Sequence, residues 1–254
     1  MSDISGPYPI EFKDLPVDLR DRYTQSGKIP VFEWWHDNSN PHIHEWSEEY
    51  IRAFCTRFTE HNIRSNLEGA SPYSNASCVW LIDAFLKYNI TGKNVAVIGS
   101  ESPWIEAMLL NLNNNVTTIE YNVPEGDYNL ITCRNYFSYF ENTHDKFDCI
   151  VTYSSVEHSG LGRYGDRLDP EGDINTMRNI HQRLNSDGLL VWGAPVWGDA
   201  LVWNAHRIYG NHRLPIMFNN FTELEWIGAV KEELLTQEPG PHTYIQPVVI
   251  LSPK

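Results

Sequence analysis

From Val95 onward, short apolar runs alternate with segments whose apolar residues recur at helical spacing, the pattern of a parallel sheet built from strand-helix-strand units. "NVAVIGS" is apolar almost throughout, as a strand covered on both faces must be. "SPWIEAMLLNLN" follows as a helix, with Pro103 in its first turn, where a missing N–H costs nothing. "NVTTIEYN" is the second strand, "LITC" a short third, and "FDCIVTYSS" a further clear one. "INTMRNIHQRL" places Ile174, Met177, Ile180 and Leu184 on one helical face, "NSDG" reads as a turn, and "GLLVWGAPV" as another buried strand. In "YIQPVVILSPK", Pro247 cannot donate to a ladder, so this last strand is expected at an edge or with the proline at its start.

Ahead of this alternation, "ASCVWLIDAFLKY" presents Cys78, Leu81, Ile82 and Phe85 at helical spacing and is expected to pack on the sheet. Residues before about Asn75 read differently. They combine the irregular, aromatic and His-rich stretch "FEWWHDNSNPHIHEW" with an amphipathic helix carrying Trp46, Tyr50, Phe54 and Phe58. The pattern predicts an N-terminal extension or lid over residues 1–75. It predicts a Rossmann-like α/β domain over 76–254, with a mostly parallel central sheet and helices on both faces.

A chain of 254 residues can bury one large core, so nothing forces two independent domains. The formal net charge of −14 argues against nucleic acid and anionic membrane surfaces as partners, since both recruit clustered Lys and Arg. "MSDISGPYPIEFKDLP" has no basic start followed by an apolar run, and no segment approaches the length of a membrane span. Cys55, Cys78, Cys133 and Cys149 are scattered without a CxxC pair, as expected of reduced thiols in a cytoplasmic protein. Nine Trp and thirteen Tyr are many for this length; flat rings suit a sugar or an adenine, but core packing accounts for most of them. The oligomeric state is not fixed by any of these features.

In an open α/β sheet, ligands lie beyond the C-terminal strand ends, where the strand order reverses. The turn after the first strand reads Gly99-Ser100-Glu101-Ser102-Pro103-Trp104 and runs into a helix N-terminus with free N–H groups. Gly99 lets a ligand approach the backbone, although a dinucleotide fingerprint has three glycines where this turn has one. Glu120 ends the second strand, where an acidic side chain accepts both hydroxyl hydrogens of a ribose. The plain counterparts are an ordinary tight turn and a solvated strand end. Glu101 would repel a pyrophosphate, so a ligand with a cationic centre and no phosphate fits better.

This order of elements resembles the class I S-adenosylmethionine-dependent methyltransferases over residues 77–254, and "SSVEHSGLGRYGDRLDPEGD" with "HRIYGNHRLP" resembles, more narrowly, the Caenorhabditis-type domain of unknown function. The resemblance implies S-adenosylmethionine as cofactor. Gly99, Ser100, Glu101, Pro103 and Trp104 would line its methionine part, Glu120 its ribose and Tyr121 its adenine, with Ser154 and Ser155 at the neighbouring strand end. The chain departs from the family's GxGxG-like turn, having GSESP instead.

The strand "FDCIVTYSS" delivers Glu157 and His158 to the same sheet edge. A hydroxyl is a poor nucleophile near neutral pH, so transfer to it needs alignment and often a base, which neutral imidazole can supply. His158 is the candidate base, with Glu157 orienting it or contacting the donor; a His that only caps the strand end is the alternative. Gly160, Gly162 and Gly165 let the following loop fold tightly, and Arg163 and Tyr164 are placed to contact an acceptor. Asp166, Asp169 and Asp173 are oxygen ligands of the kind a divalent metal takes, though not at calcium-loop spacing, and Asp169 or Asp173 serves equally as a helix cap. A second loop brings Asp199, Asn204, His206 and Arg207 to the sheet edge as an acceptor wall, with His206 the reserve base, or as a structural hydrogen-bonding network. The resemblance implies O-methylation of a small hydroxylated acceptor such as a sugar unit of a glycan. The alternatives are a non-catalytic donor- or nucleotide-sugar-binding module and a metal-dependent hydrolase using the His/Asp loop.

Overall fold

The computed structural model describes residues 10–39, 45–65, 74–126 and 129–254. A single 3-10 turn leads into α1 (Val17–Tyr23) and β1 (Val31–Trp34), followed by α2 (Glu48–Arg57), α3 (Glu60–Arg64) and α4 (Asn75–Lys87). The alternating region gives β2 (Asn94–Ile98), α5 (Trp104–Asn111), β3 (Asn115–Glu120), β4 (Thr132–Asn135), α6 (Tyr136–Asn142), β5 (Phe147–Tyr153), α7 (Gly172–Arg183) and β6 (Leu184–Gly193). Then come β7 (Ala200–Asn204), β8 (His206–Ile208), α8 (Leu214–Met217), β9 (Phe221–Ile227), α9 (Lys231–Leu235) and β10 (Val248–Pro253).

Seven strands form one sheet in the order β4-β3-β2-β5-β6-β10-β9. The first five are parallel, while β10 runs antiparallel to both of its neighbours. This order, with one reversed strand inserted near the edge, is the Rossmann-like class I methyltransferase fold. The chain winds outward from β2 to β4 and returns to β5, so the order reverses between β2 and β5 and a crevice opens above their C-terminal ends.

The two-residue period of a strand divides β2 between two cores. Val95 and Val97 join Leu81 and Phe85 of α4 and Met108 of α5 on one face. Ala96 and Ile98 join Met177 and Ile180 of α7 and Trp192 of β6 on the other.

The structure departs from the sequence reading in three places. "NSDG" is absorbed into the start of β6, with a register irregularity opposite residues 147–149 and an Asn185 Nδ2 to Asp148 Oδ1 bond of 2.9 Å holding it there. Pro247 does precede its strand, but β10 is internal to the sheet; the edge is β9, whose Thr222, Glu223 and Glu225 gave it a polar sequence. The segment read as a second loop is the β7–β8 hairpin, which forms a small sheet with β1 in the order β1-β7-β8.

The N-terminal residues dock in two places. Residues 10–39 sit on the hairpin: β1 pairs in parallel with β7, Trp203 Nε1 donates to the Ile10 carbonyl at 2.8 Å, and Tyr23 Oη donates to the Gly160 carbonyl at 2.6 Å. The rings of Phe12, Tyr23 and Trp203 meet edge to face around this point. Residues 45–65 pack instead on α5, where Asn111 Nδ2 donates to the carbonyls of Cys55 and Phe58. The His-rich residues 40–44 lie outside the described residues. Among the described residues no helix is long and apolar enough to cross a membrane.

Candidate functional site

The crevice above β2 and β5 holds a cavity of about 560 Å³. Its floor depends on Gly99, which has φ +77 and sits so close to the end of β5 that a Cβ would lie 1.8 Å from Ser155 Oγ. Only glycine meets both requirements, the left-handed backbone and the missing side chain.

The GSESP turn is held by side chains. Ser100 Oγ donates to the Ser102 carbonyl at 2.8 Å and to Glu106 Oε2 at 3.0 Å, and Thr118 Oγ1 donates to the other Glu106 oxygen at 2.8 Å. Ser100 N–H donates to Glu120 Oε1, and Tyr121 N–H to Glu120 Oε2 at 2.9 Å. Burial pushes both Glu106 and Glu120 up to about 7. The single-glycine turn is therefore rigid for a physical reason that the glycine count does not capture. Tyr121 stacks on Phe137 with centroids 5.0 Å apart and meets Tyr136 edge to face, which fixes its ring at the cavity wall.

At the end of β5, Ser154 has φ +54 and its hydroxyl donates to Glu157 Oε1 at 3.0 Å, while Gln246 Nε2 donates to the Ser154 hydroxyl at 3.0 Å. Glu157 Oε2 is buried and has no hydrogen-bond partner among the described residues. Burial pushes the Glu157 carboxyl up to about 7. His158 Nδ1 lies 2.6 Å from the Ala205 carbonyl. A carbonyl only accepts, so Nδ1 carries the proton and Nε2 keeps a lone pair, 3.7 Å from Glu157 Oε1. Burial, helped by the Arg163 guanidinium, pushes His158 down to about 3. The same two causes push His206 down to about 4, so both imidazoles are neutral at pH 7.

Of the residues singled out from sequence, Gly99, Ser100, Glu101, Trp104, Glu120, Tyr121, Ser154, Ser155, Glu157, His158, Arg163, Tyr164 and His206 all line the cavity. Pro103 is the N-cap of α5 and does not reach the lining. The other candidates are turned away from it by backbone groups that need partners. Asp166 accepts from Gly160 N–H at 2.6 Å and Tyr164 N–H at 3.3 Å. Asp199 accepts three backbone N–H groups, from Gly210, His212 and Arg213. Asn204 Oδ1 accepts from His36 N–H at 2.8 Å, and Arg207 donates to the Ser159 carbonyl at 2.6 Å. The expected acceptor wall is thus, apart from His206, a structural network.

The three loop aspartates do not converge either. Asp169 accepts from Glu171 N–H and Asn175 Nδ2, and the fully buried Asp173 is bound by Arg213, Tyr209 Oη and, at 3.6 Å, Arg207. Among the described residues no group of three or more His, Cys, Asp or Glu is placed to hold a metal ion.

The sequence reading did not single out Trp34, His36 and Asn38, which reach the cavity through β1, or Tyr244 and Gln246, which reach it from the segment before β10. The WWH run was visible as an aromatic stretch, but its pairing with β7 has no local signal.

The sequence pattern of the family described as Caenorhabditis protein of unknown function, DUF268, matches residues 92–238, more than half of the chain. The chain is similar to the crystal structure of Burkholderia thailandensis 1,6-didemethyltoxoflavin-N1-methyltransferase with bound 1,6-didemethyltoxoflavin and S-adenosylhomocysteine, at 13% identity over 80% of this chain and 88% of that one, with a TM-score of 0.49. It is similar to the N-methyltransferase NodS of Bradyrhizobium japonicum in complex with S-adenosylhomocysteine, at 14% identity over 81% and 98%, with a TM-score of 0.48. It is also similar to a TehB-like S-adenosylmethionine-dependent methyltransferase of Corynebacterium glutamicum, at 17% identity over 81% and 99%, with a TM-score of 0.46. No curated protein matches the sequence.

Proposed function

The chain belongs to the Caenorhabditis family of unknown function, a membership that names no reaction, and we propose from its cleft that it is an S-adenosylmethionine-dependent O-methyltransferase acting on a small hydroxylated acceptor, a sugar unit of a glycan. One observation carries this reading: the Glu157–His158 pair opens into the same cavity as the Gly99 turn and Glu120. The cavity also falls within the roughly 300–1,000 Å³ of small-molecule sites.

The residues of the β2 and β3 ends fit the donor. Glu120 accepts from the ribose hydroxyls, Tyr121 flanks the adenine, and residues 99–104 approach the methionine part with Ser154 and Ser155 beside them. Glu101 and Glu120 favour a cationic centre over a phosphate. When bound, S-adenosylmethionine supplies an electrophilic sulfonium methyl.

His158 Nε2 accepts a hydrogen bond from a group of the acceptor next to the reacting hydroxyl and so orients it, because the Ala205 carbonyl holds the ring in the tautomer with a free lone pair there. The reacting hydroxyl donates its one hydrogen to the Glu157 carboxylate, which takes the proton. A carboxyl at about 7 is better matched to neutral pH than an imidazole at about 3, so the base role expected of His158 passes to its neighbour. Trp34 and Tyr244 flank the acceptor and exclude water.

The test is incubation with methyl-labelled S-adenosylmethionine and a panel of methyl glycosides, read by mass spectrometry. The expected result is a monomethylated glycoside formed in step with S-adenosylhomocysteine. An enzyme that binds the donor but methylates only amines or thiols overturns the O-methylation reading.

A further inference from the structure

Two buried polar atoms of cavity-lining residues have no hydrogen-bond partner among the described residues: Glu157 Oε2 and His206 Nε2. Both residues neighbour His158, Glu157 through the 3.7 Å approach of Oε1 to Nε2 and His206 through rings whose centroids are 6.3 Å apart. The Glu157 and His206 side chains are almost wholly out of water, at 1% and 4% exposure. A buried group left without a partner is costly, and where it lines a cavity the missing partner is supplied by what binds there.

From these two unpaired atoms we infer that the acceptor is a 1,2-diol on a saturated ring: the hydroxyl to be methylated donates to Glu157, and the adjacent hydroxyl is read by His206 and the Nε2 lone pair of His158. This deepens the methyl-transfer reading and rests on it. Neighbouring ring hydroxyls stand about one hydrogen-bond length, ~2.8 Å, apart, so with one on Glu157 the other reaches the space between two imidazoles whose centroids are 6.3 Å apart. A neutral imidazole has one N–H and one lone pair, which complements a hydroxyl better than a charged group.

The walls suit the ring that carries the diol. Trp34 and Tyr244 are large aromatics left 41% and 37% exposed, and both line the cavity. They meet the His206 ring edge to face at 6.0 and 5.4 Å, so an apolar surface borders the orphan nitrogen. The C–H faces of a saturated ring bury against such rings while its hydroxyls reach inward. In the transfer, the O–H bond of the held hydroxyl and the C–S bond of the sulfonium break and an O–CH3 bond forms. The proton goes to the Glu157 carboxylate and the sulfur leaves as neutral S-adenosylhomocysteine.

The experiment supplies the full chain with labelled S-adenosylmethionine and four probes: cis- and trans-cyclohexane-1,2-diol, 2-methoxycyclohexanol and cyclohexanol. The wild type is expected to methylate at least one diol tenfold or more faster, per hydroxyl, than cyclohexanol or the methoxy alcohol. In His206→Phe the preference is expected to fall to within about twofold, with S-adenosylhomocysteine binding by calorimetry reporting that the variant is folded. Equal rates on diol and lone alcohol in the wild type overturn the inference, whether or not the variant folds. So does donor binding with no transfer to any probe, and so does full discrimination retained in His206→Phe. Failure of the wild type to bind S-adenosylhomocysteine at all removes the methyl-transfer reading itself, and this inference with it.

Discussion

Replacing Gly99 by alanine perturbs the point where the ends of β2 and β5 touch. Two costs follow from the geometry. A Cβ at φ +77 costs roughly 1–2 kcal/mol in backbone strain. The new methyl would lie 1.8 Å from Ser155 Oγ and 2.4 Å from Ser155 Cβ, so one strand end must move, an overpacking cost of about 1–3 kcal/mol. Together the substitution is expected to destabilise the protein by about 2–5 kcal/mol, a large part of the ~5–15 kcal/mol that keeps a domain folded. Urea unfolding followed by tryptophan fluorescence reads this as a lower midpoint at unchanged slope. Ser155→Gly removes the clashing atoms without touching the backbone strain. A double-mutant cycle should therefore show about 1–3 kcal/mol of coupling, with the remaining cost intact. A Gly99→Ala protein within about 0.5 kcal/mol of wild type, or a cycle with no coupling, would refute the claim that Gly99 and Ser155 jointly shape the cavity floor.

Glu157→Gln is expected to slow methyl transfer by roughly 10²–10⁴-fold while S-adenosylhomocysteine still binds. The wild-type rate should rise with pH through about 7 as the carboxyl ionises, and a variant with an unchanged pH profile would contradict the base assignment. Glu106→Gln addresses stability: a carboxyl raised from 4.5 to about 7 in the fold favours folding fully below the lower value and loses that contribution as pH rises through the upper one. From pH 5 to 8 the variant should therefore gain roughly 3 kcal/mol relative to wild type in urea unfolding, at about 1.4 kcal/mol per pH unit, and parallel pH dependences would count against it. Asp173→Asn leaves Arg213 and Arg207 without their buried counter-charge and should cost roughly 3–5 kcal/mol; a calorimetric loss below about 1 kcal/mol would show that the pair is not needed.

The central strands β2, β5 and β6 were legible because burial on both faces forces near-continuous apolar runs, while β3, with Val116 and Ile119 between polar residues, was placed by its position after α5. Gly99 and Glu120 followed from their places at strand ends, and Glu157 and His158 from a strand end together with the chemistry of imidazole and the family resemblance. β9 was missed for the converse reason: an edge strand with its polar side to water gives a weak pattern, and Glu225 is spent on Lys87 and Tyr88. Polar residues after a strand read as ligand contacts, yet Asp199 and Arg207 serve backbone groups, and sequence does not distinguish a side chain facing a cavity from one facing an N–H. The β1–β7 pairing joins segments far apart in the chain, so the route by which Trp34 and His36 reach the site had no local trace. Glu106, a lone acid inside the apolar run "WIEAMLLN", was the overlooked sign that the GSESP turn is anchored from below.

Titration of S-adenosylhomocysteine into wild type and Glu120→Ala, followed by calorimetry, tests the central claim most directly. One site is expected in the wild type and, above pH 8 where the Glu120 carboxyl is ionised, affinity at least tenfold weaker in the variant, since hydrogen bonds to a charged carboxylate contribute about 1.5–3 kcal/mol each. No heat and no thermal shift in the wild type at millimolar ligand, or an affinity that Glu120→Ala leaves unchanged, would contradict it.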